Sequence, residues 1–395
     1  MNAAIYGKIF GVSTTDQVLI GKNNWMYYTG TLNDYQSENL LSDRGIKNAV
    51  HNLKLIQNYV NARGSKFIFA IAPNKNSVYD ENMPYYYRGS DVSNNYERLI
   101  PELEKAGIQY VDLKSVFQKS DEILYLERDS HWNNKGAVLA YNEIMGKTDL
   151  VYETYENIPY ETRKDHLGDL TKMLYPLNSE LENNQYYQKD WSWNYVDDVK
   201  DNMDEWIETK NSSAGSSLLM YRDSFGESLL PFMAEAFGEA YFSRLVPYNL
   251  TNIDQYRPEY VVMERVERRI SSFASEAPIM EAPMVKLEVD TEEDADIIIN
   301  VKAEGDYYTF DGIVDSDRLK TESQIFVVIR ESEGTSKIYV PFWISEDNGI
   351  ESDYGFKMYL RKNHVPSAEI TVDILVMDDN QIIRVGEKKI DLSLL

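Results

Sequence analysis

The sequence predicts an α/β layered domain built on a parallel sheet, followed by an antiparallel β-sandwich. Three observations carry this. Up to residue 270, dense apolar runs such as Lys66-Phe67-Ile68-Phe69-Ala70-Ile71 are separated by amphipathic helical stretches, and inner strands that do not alternate belong to sheets covered on both faces. From residue 285 onward, eight short β-type runs are punctuated by Gly, Asp, Asn and Ser, the rhythm of a sandwich. Between the two regimes, residues 274–284 carry two prolines and little periodicity, which marks a linker. The expected domains are residues 1–275, with an irregular aromatic-rich insertion at about 150–215, and residues 285–395, a carbohydrate-binding or interaction module.

Taken in order, Ile46, Val50, Leu53, Ile56 and Val60 recur at three- and four-residue steps between Asp43 and Arg63, so this stretch is a helix with one buried face. Gly64 stops it, and the Lys66 run is the first inner strand. Asn95–Lys105 is a second helix closed by Gly107, and Gln109–Leu113 a short strand. Asn134–Met145 is a third helix, with Ala137, Ala140, Tyr141 and Ile144 inward and Asn133 or Asn134 as its cap. Ser217–Tyr221 is a strand, Arg222–Gly226 a turn and Glu227–Phe237 a helix; Tyr241–Leu245 and Glu259–Met263 add two strands. The sandwich runs begin at Val285–Val289 and end at Ile382–Val385, with the acidic cluster Glu292–Asp296 as a solvated turn.

Composition removes whole classes of function. Forty Lys+Arg against 65 Asp+Glu leave a formal charge of −25, which repels phosphate backbones and argues against nucleic-acid binding. The absence of Cys excludes disulfides, Cys-ligated zinc, Fe–S clusters and thiol nucleophiles. The four histidines, His51, His131, His166 and His364, are too far apart in sequence for a local metal motif, so no metal or cofactor is expected. The longest strongly apolar stretch, Phe67 to Pro73, is too short to span a bilayer. The chain opens inside what reads as an ordered segment, Ala3-Ala4-Ile5-Tyr6, which suggests an upstream membrane anchor.

Two places combine into chemistry. In Arg128-Asp129-Ser130-His131-Trp132, an Asp two residues before a His can bend back onto Nδ1–H and leave Nε2 as a base. In Arg222-Asp223-Ser224-Phe225-Gly226, Ser224 stands between a buried strand and a helix, at the carboxyl end of the sheet where such sheets bind ligands. Its hydroxyl and N–H lie near a positive helix end, as a nucleophile with an oxyanion donor requires. Helix capping alone explains either place; together they supply Ser, His and Asp. Pro73-Asn74-Lys75 ends the first strand at the same sheet edge, either as oxyanion donors or as a turn fixed by Pro73. Asp165-His166, beside Gly168-Asp169, is a second and less favourably placed base.

These residues occur within an ordered set of motifs: Gly21-Lys22-Asn23-Asn24-Trp25-Met26-Tyr27-Tyr28, the Pro-x-Lys at 73–75, the Asp-x-His-Trp at 129–132, Gly168-Asp169-Leu170, the Asp-Ser-Phe at 223–225, and Pro258-Glu259-Tyr260-Val261-Val262 with Glu264-Arg265. In this order they resemble the SGNH-hydrolase-like family of alginate O-acetylation proteins (AlgX/AlgJ-type, also called DHHW), over roughly residues 1–270. The resemblance implies a three-layer domain in which Asp129, His131 and Ser224 are catalytic, with Asp and His preceding Ser, the reverse of ordinary SGNH esterases. It implies a serine-dependent O-acetyltransferase that modifies an exopolysaccharide outside the cytoplasmic membrane. A membrane-bound O-acyltransferase would supply its acetyl groups, and an N-terminal anchor would hold it. An acetylesterase and a non-catalytic polysaccharide-binding scaffold are the alternatives. Asn74, Lys75 and Arg222 are then pocket residues; Arg222-Asp223 departs from the family, which has a small residue followed by Asp or Thr. Trp132 and Arg265 of the motifs are assigned to substrate binding. Tyr85-Tyr86-Tyr87, Tyr186-Tyr187, Trp191, Trp193, Tyr195 and Trp206 are candidate sugar-stacking rings, or rings buried against the sheet.

Overall fold

A computed structural model describes residues 13, 15–86, 88, 93–177, 180–293, 297–314, 319–331, 336–347 and 350–395. Ala3–Tyr6, Tyr87 and residues 294–296 of the acidic cluster lie outside them. Contacts divide the chain into two compact units. The first comprises residues up to 40, 64–245 and 256–269; the second comprises residues 41–63, 246–255 and 270–395. This grouping is not the linear division expected from composition, because the helix at 43–61 clusters with the second unit. Among the described residues no helix is long and apolar enough to cross a membrane.

The first unit is organised by a seven-stranded sheet. Its order is Tyr110–Val111, Lys66–Ala72, Tyr260–Val266, Ser217–Tyr221, Glu239–Ser243, Trp206–Asn211 and Trp193–Tyr195. The first five strands are parallel, and the last two run antiparallel to their neighbours. Lys66–Ala72, Ser217–Tyr221 and Tyr260–Val266 are buried almost throughout, as their largely apolar runs require, with Glu264 and Arg265 buried in the last of them. Ile68, Ala70, Met220 and Val262 join the main core with Ala137, Ala140 and Tyr141 of the helix Asn134–Met145 and Leu229, Leu230 and Met233 of the helix Gly226–Ala236.

Residues 150–215, expected to be irregular, contain ordered β-structure. Tyr160–His166 and Glu182–Tyr187 form an antiparallel hairpin across the short helix Asp169–Leu174, and the two antiparallel sheet strands also come from this region. The hairpin strand Tyr-Glu-Thr-Arg-Lys-Asp-His is exposed along nearly its whole length, so it carries no apolar alternation to announce it. The expected strand Gln109–Leu113 is reduced to Tyr110–Val111, since Asp112 caps a helix over Leu113–Gln118 by accepting from the Ser115 N–H.

In the second unit, a four-stranded and a six-stranded sheet share one core. Ile299, Phe310, Phe356 and Met358 of one sheet meet Ile325, Val327, Val372 and Ile374 of the other, which is the packing of a β-sandwich. All pairings are antiparallel among the described strands except Thr291–Glu292 beside Gln381–Asp391. The helix Asp43–Asn61 is bound to this unit by its polar side chains. Asn52 donates to the carbonyls of Phe273 and Trp343, both at 2.8 Å, and accepts from the Trp343 N–H at 2.8 Å. His51 stacks flat on Trp343 at 3.6 Å, and its burial pushes the imidazole pKa down to about 3, a structural role.

Replacing Asn52 by Ala strands three buried backbone groups, so Asn52→Ala is expected to cost the second unit about 3 kcal/mol. Urea unfolding followed by tryptophan fluorescence measures it; a loss within experimental error would show that these bonds do not hold the helix to the sandwich.

Candidate active site

The loop between Leu124 and Asn133 folds back on itself, with the Asn133 N–H donating to the Leu124 carbonyl and Leu126 N–H to that of His131. Asn133 then caps the following helix, accepting from Gly136 N–H at 3.0 Å. This presents Asp129, Ser130 and His131 at the carboxyl end of the sheet.

Asp129 is buried, and its carboxylate accepts four hydrogen bonds. Oδ1 takes the His131 N–H at 3.0 Å and its Nδ1–H at 2.7 Å; Oδ2 takes the Asp169 N–H at 2.9 Å and His166 Nε2–H at 2.9 Å. With Nδ1 engaged by the carboxylate, His131 Nε2 accepts from the Ser224 hydroxyl at 2.8 Å. Burial opposes ionisation of Asp129, but the hydrogen bonds from both histidines outweigh it and hold its carboxyl well below the usual range. Burial likewise disfavours charged His131 and His166, and in each the bond and charge of Asp129 prevail and raise the pKa. Asp169 closes the cluster from the side: its carboxylate accepts Ser130 N–H at 2.8 Å and Ser130 Oγ–H at 2.6 Å. Asp129, His131 and Asp169 offer ligand atoms within 4.8 Å of one another, a spacing that suits a metal. Every one of the four carboxylate oxygens concerned already accepts a hydrogen bond, so the trio reads as a hydrogen-bonded network.

Ser224 is held by its neighbours. Asp223 Oδ1 accepts from Phe225 N–H at 2.9 Å, and Oδ2 from Val266 N–H at 2.8 Å, pinning the turn to the next strand. Two cavities adjoin at Ser224 and His131, one of about 770 Å³ and one of about 450 Å³. Tyr186, Tyr187, Trp191, Trp193, Tyr195 and Phe232 line the larger. Trp193 Nε1 is buried with no hydrogen-bond partner among the described residues.

Thus Ser224 meets Asp129 and His131 from 93 residues along the chain, and Trp191 and Trp193 face the cavity beside them. Trp132 touches that cavity, but it is buried edge-on against Phe225 and donates to Ser228 Oγ at 2.7 Å. Asn74 and Lys75, expected at an oxyanion, face elsewhere. Asn74 is fully buried, its N–H bound to Glu267 and its side chain to Asp34. Lys75 gives its three ammonium protons to the carbonyls of Met26, Glu127 and Asp129 at 2.8, 2.7 and 3.0 Å, so it holds the Asp129 loop from behind; burial pushes its pKa down to about 7. Arg222 is buried as well and lines neither cavity; it donates to the carbonyls of Asn202 and Asp204, fixing a loop that lines the larger one. Arg265 is buried in its strand opposite Ile71. Tyr86 stacks on exposed Tyr85, and Trp206 packs against Tyr256 and Tyr241, all away from the cavities.

Sequence reasoning missed the clamp made by Ser130 and Asp169, the second histidine on Asp129, and Glu227 and Arg268 at the cavity walls. The i+3 spacing of Glu227 from Ser224 on the helix start was the one available signal.

The family model for an SGNH hydrolase-like domain, acetyltransferase AlgX, matches residues 18–216, half of the chain. Over 182 residues the chain is 30% identical to a probable alginate O-acetylase AlgJ of Pseudomonas syringae pv. tomato, covering 42% of this chain and 43% of that protein. A probable alginate O-acetylase AlgJ of Pseudomonas aeruginosa is 25% identical over 173 residues, again 42% and 43%. The chain therefore spans less than half the length of the curated relatives it matches. Among solved structures, Bacillus cereus PatB1 superposes with a TM-score of 0.51 at 15% identity, over 65% of this chain and 97% of that one, a likeness of fold.

Lys75→Met keeps the side chain's length but takes the ammonium away from the carbonyls of Met26, Glu127 and Asp129, of which Glu127 still accepts from the Met26 N–H. We expect a loss of about 3 kcal/mol in urea unfolding of the first unit; an unchanged midpoint would refute the latch.

Proposed function

Since the chain belongs to the family of SGNH hydrolase-like AlgX acetyltransferase domains, we propose that it is a polysaccharide O-acetyltransferase working through an acetyl-Ser224 intermediate. The observation that carries this reading is the Ser224 Oγ–His131 Nε2 hydrogen bond of 2.8 Å, opening onto an aromatic cavity. Ser224 Oγ attacks the acetyl carbonyl and its proton passes to His131 Nε2. The Ser224 N–H, at the start of the helix Gly226–Ala236, faces the oxyanion. His131 then returns the proton to the leaving alcohol, and the acetyl group stays on Ser224. In the second half, His131 takes the proton of a sugar hydroxyl, which attacks the ester and frees the serine. Asp129 keeps the imidazole in the productive tautomer and stabilises the imidazolium.

The rings of the larger cavity stack on the acceptor sugar. A sugar so held competes with water for the acyl-enzyme, which favours transfer over hydrolysis. The relatives named as alginate O-acetylases support a polysaccharide acceptor. In this reading the protein works outside the cytoplasmic membrane, with a membrane-bound acyltransferase as its acetyl source.

Incubation with a chromogenic acetyl ester followed by quenching should leave an acetyl group on the peptide containing Ser224, detectable by mass spectrometry. Ser224→Ala and His131→Ala should lower turnover by about 1,000-fold or more, and Asp129→Asn by about 10,000-fold. Unchanged turnover in all three variants refutes the proposal. Because Asp129 raises the His131 pKa, activity is low in acid and rises with pH through an apparent pKa above the ordinary imidazole value of about 6.5. Residual activity of Asp129→Asn should rise at lower pH, the raising charge being gone. An acid limb that does not move between the two proteins counts against His131 as the base.

A further inference from the structure

We propose that the smaller cavity is an anion subsite, in which the Arg268 guanidinium takes a carboxylate or phosphate group of a substrate beside the Ser224 hydroxyl. The two cavities share Ser224, His131 and Asp169 but differ in chemistry. The larger is walled by aromatic rings and carries charges of both signs, with Glu227 and Asp201 against Arg163 and Lys172. The smaller is polar and carries Arg268 and Arg269. Its one carboxylate, Asp169, is already occupied at both oxygens by Ser130.

Several arginines pair with carboxylates and others with backbone carbonyls, as Arg222 and Arg244 do; Arg268 has neither among the described residues. In a chain of charge −25, Arg63, Arg128, Arg330 and Arg384 each pair with a carboxylate. Half-buried Arg268 has no carboxylate within ion-pair distance among the described residues; its guanidinium carbon lies 5.5 Å from the Tyr28 ring centre and 5.8 Å from that of Phe225. The two rings orient a planar, weakly hydrated cation while leaving its N–H edges free, and that fork matches carboxylate and phosphate oxygens. Phe225 also packs against His131 at 4.7 Å, so the cation is tied to the same side chains that frame the nucleophile. An anion in the larger cavity would meet Glu227 and Asp201, whereas in the smaller it meets Arg268.

The assignment rests on the reading of Ser224 as the acyl-carrying residue only for saying that the anion belongs to a substrate. Its source is either a carboxylate on an acidic acceptor sugar or a phosphate on an acetyl donor. Calorimetric titration of Ser224→Ala with tetragalacturonate, pyrophosphate and uncharged cellotetraose tests it. At least one anion should bind, and more weakly as salt rises. Adding Arg268→Gln should lower the ratio of anion to cellotetraose affinity by about tenfold, with Arg268→Lys in between. A response of tetragalacturonate identifies the acceptor carboxylate, and a response of pyrophosphate alone identifies the donor phosphate. If neither anion binds, or if the ratio is unchanged for both, the subsite is refuted. Should Arg268→Gln fail to fold, the Arg268→Lys ratio and the salt dependence of Ser224→Ala itself decide, and affinity indifferent to both overturns the proposal. Failure of the acetyl-serine reading would appear separately, as no acetyl group on Ser224.

Discussion

The buried carboxylate of Asp129 is the constraint around which the first unit's site is built. An ionised carboxylate away from water is tolerated only if its lone pairs are satisfied, and here four donors converge on it. Two of the four are backbone N–H groups, so the loop and the helix Asp169–Leu174 must approach within hydrogen-bond distance. Gly168 permits that approach: a Cβ there would lie 2.2 Å from the Arg128 carbonyl oxygen. Behind the loop, Lys75 takes the Asp129 carbonyl together with those of Met26 and Glu127. The motifs at 21–28, 73–75, 129–132 and 168–170 are thus pieces of one hydrogen-bonded assembly.

Ser224 is positioned by a second, separate assembly. Asp223 accepts from the backbone on either side of the turn, while its own N–H donates to Glu264 at 3.1 Å. Burial and the nearby Asp223 charge raise the Glu264 pKa well above the usual carboxylate range. Arg222 extends the assembly to the Asn202–Asp204 loop at the larger cavity. Two side-chain bonds join the assemblies at the site, Ser224 Oγ–H to His131 Nε2 and Trp132 Nε1–H to Ser228 Oγ, so the His131–Ser224 geometry is fixed by both frames together.

What the sequence disclosed follows from how each feature is encoded. The strand at 66–72 and the helix at 43–61 were legible because apolar periodicity records burial directly. Asp129, His131 and Ser224 were legible as a set because each sits beside a strand end or helix start that the same periodicity locates. The Tyr160–His166 hairpin was not, since an exposed strand owes its form to backbone pairing, which leaves no pattern in side chains. The sequence puts Lys75 near the pocket because it ends a strand at the same sheet edge as Ser224; only three dimensions reveal three carbonyls aimed at one ammonium. Arg268 was invisible for the converse reason, as the absence of a partner is a property of space and not of spacing.

A chain of charge −25 with a cationic subsite raises the question of whether a polyanion would reach it. Net charge acts through a field that salt screens within about 8 Å at physiological ionic strength, so beyond that distance the acidic surface slows encounter only modestly. At contact, the partners of a group decide. Asp129 lies between His131 and His166, whereas Arg268 has no carboxylate within ion-pair distance among the described residues and lies beside the Tyr28 and Phe225 rings. Global repulsion and local attraction therefore operate at different ranges, and the combination discriminates against anions that cannot place a charge beside Arg268.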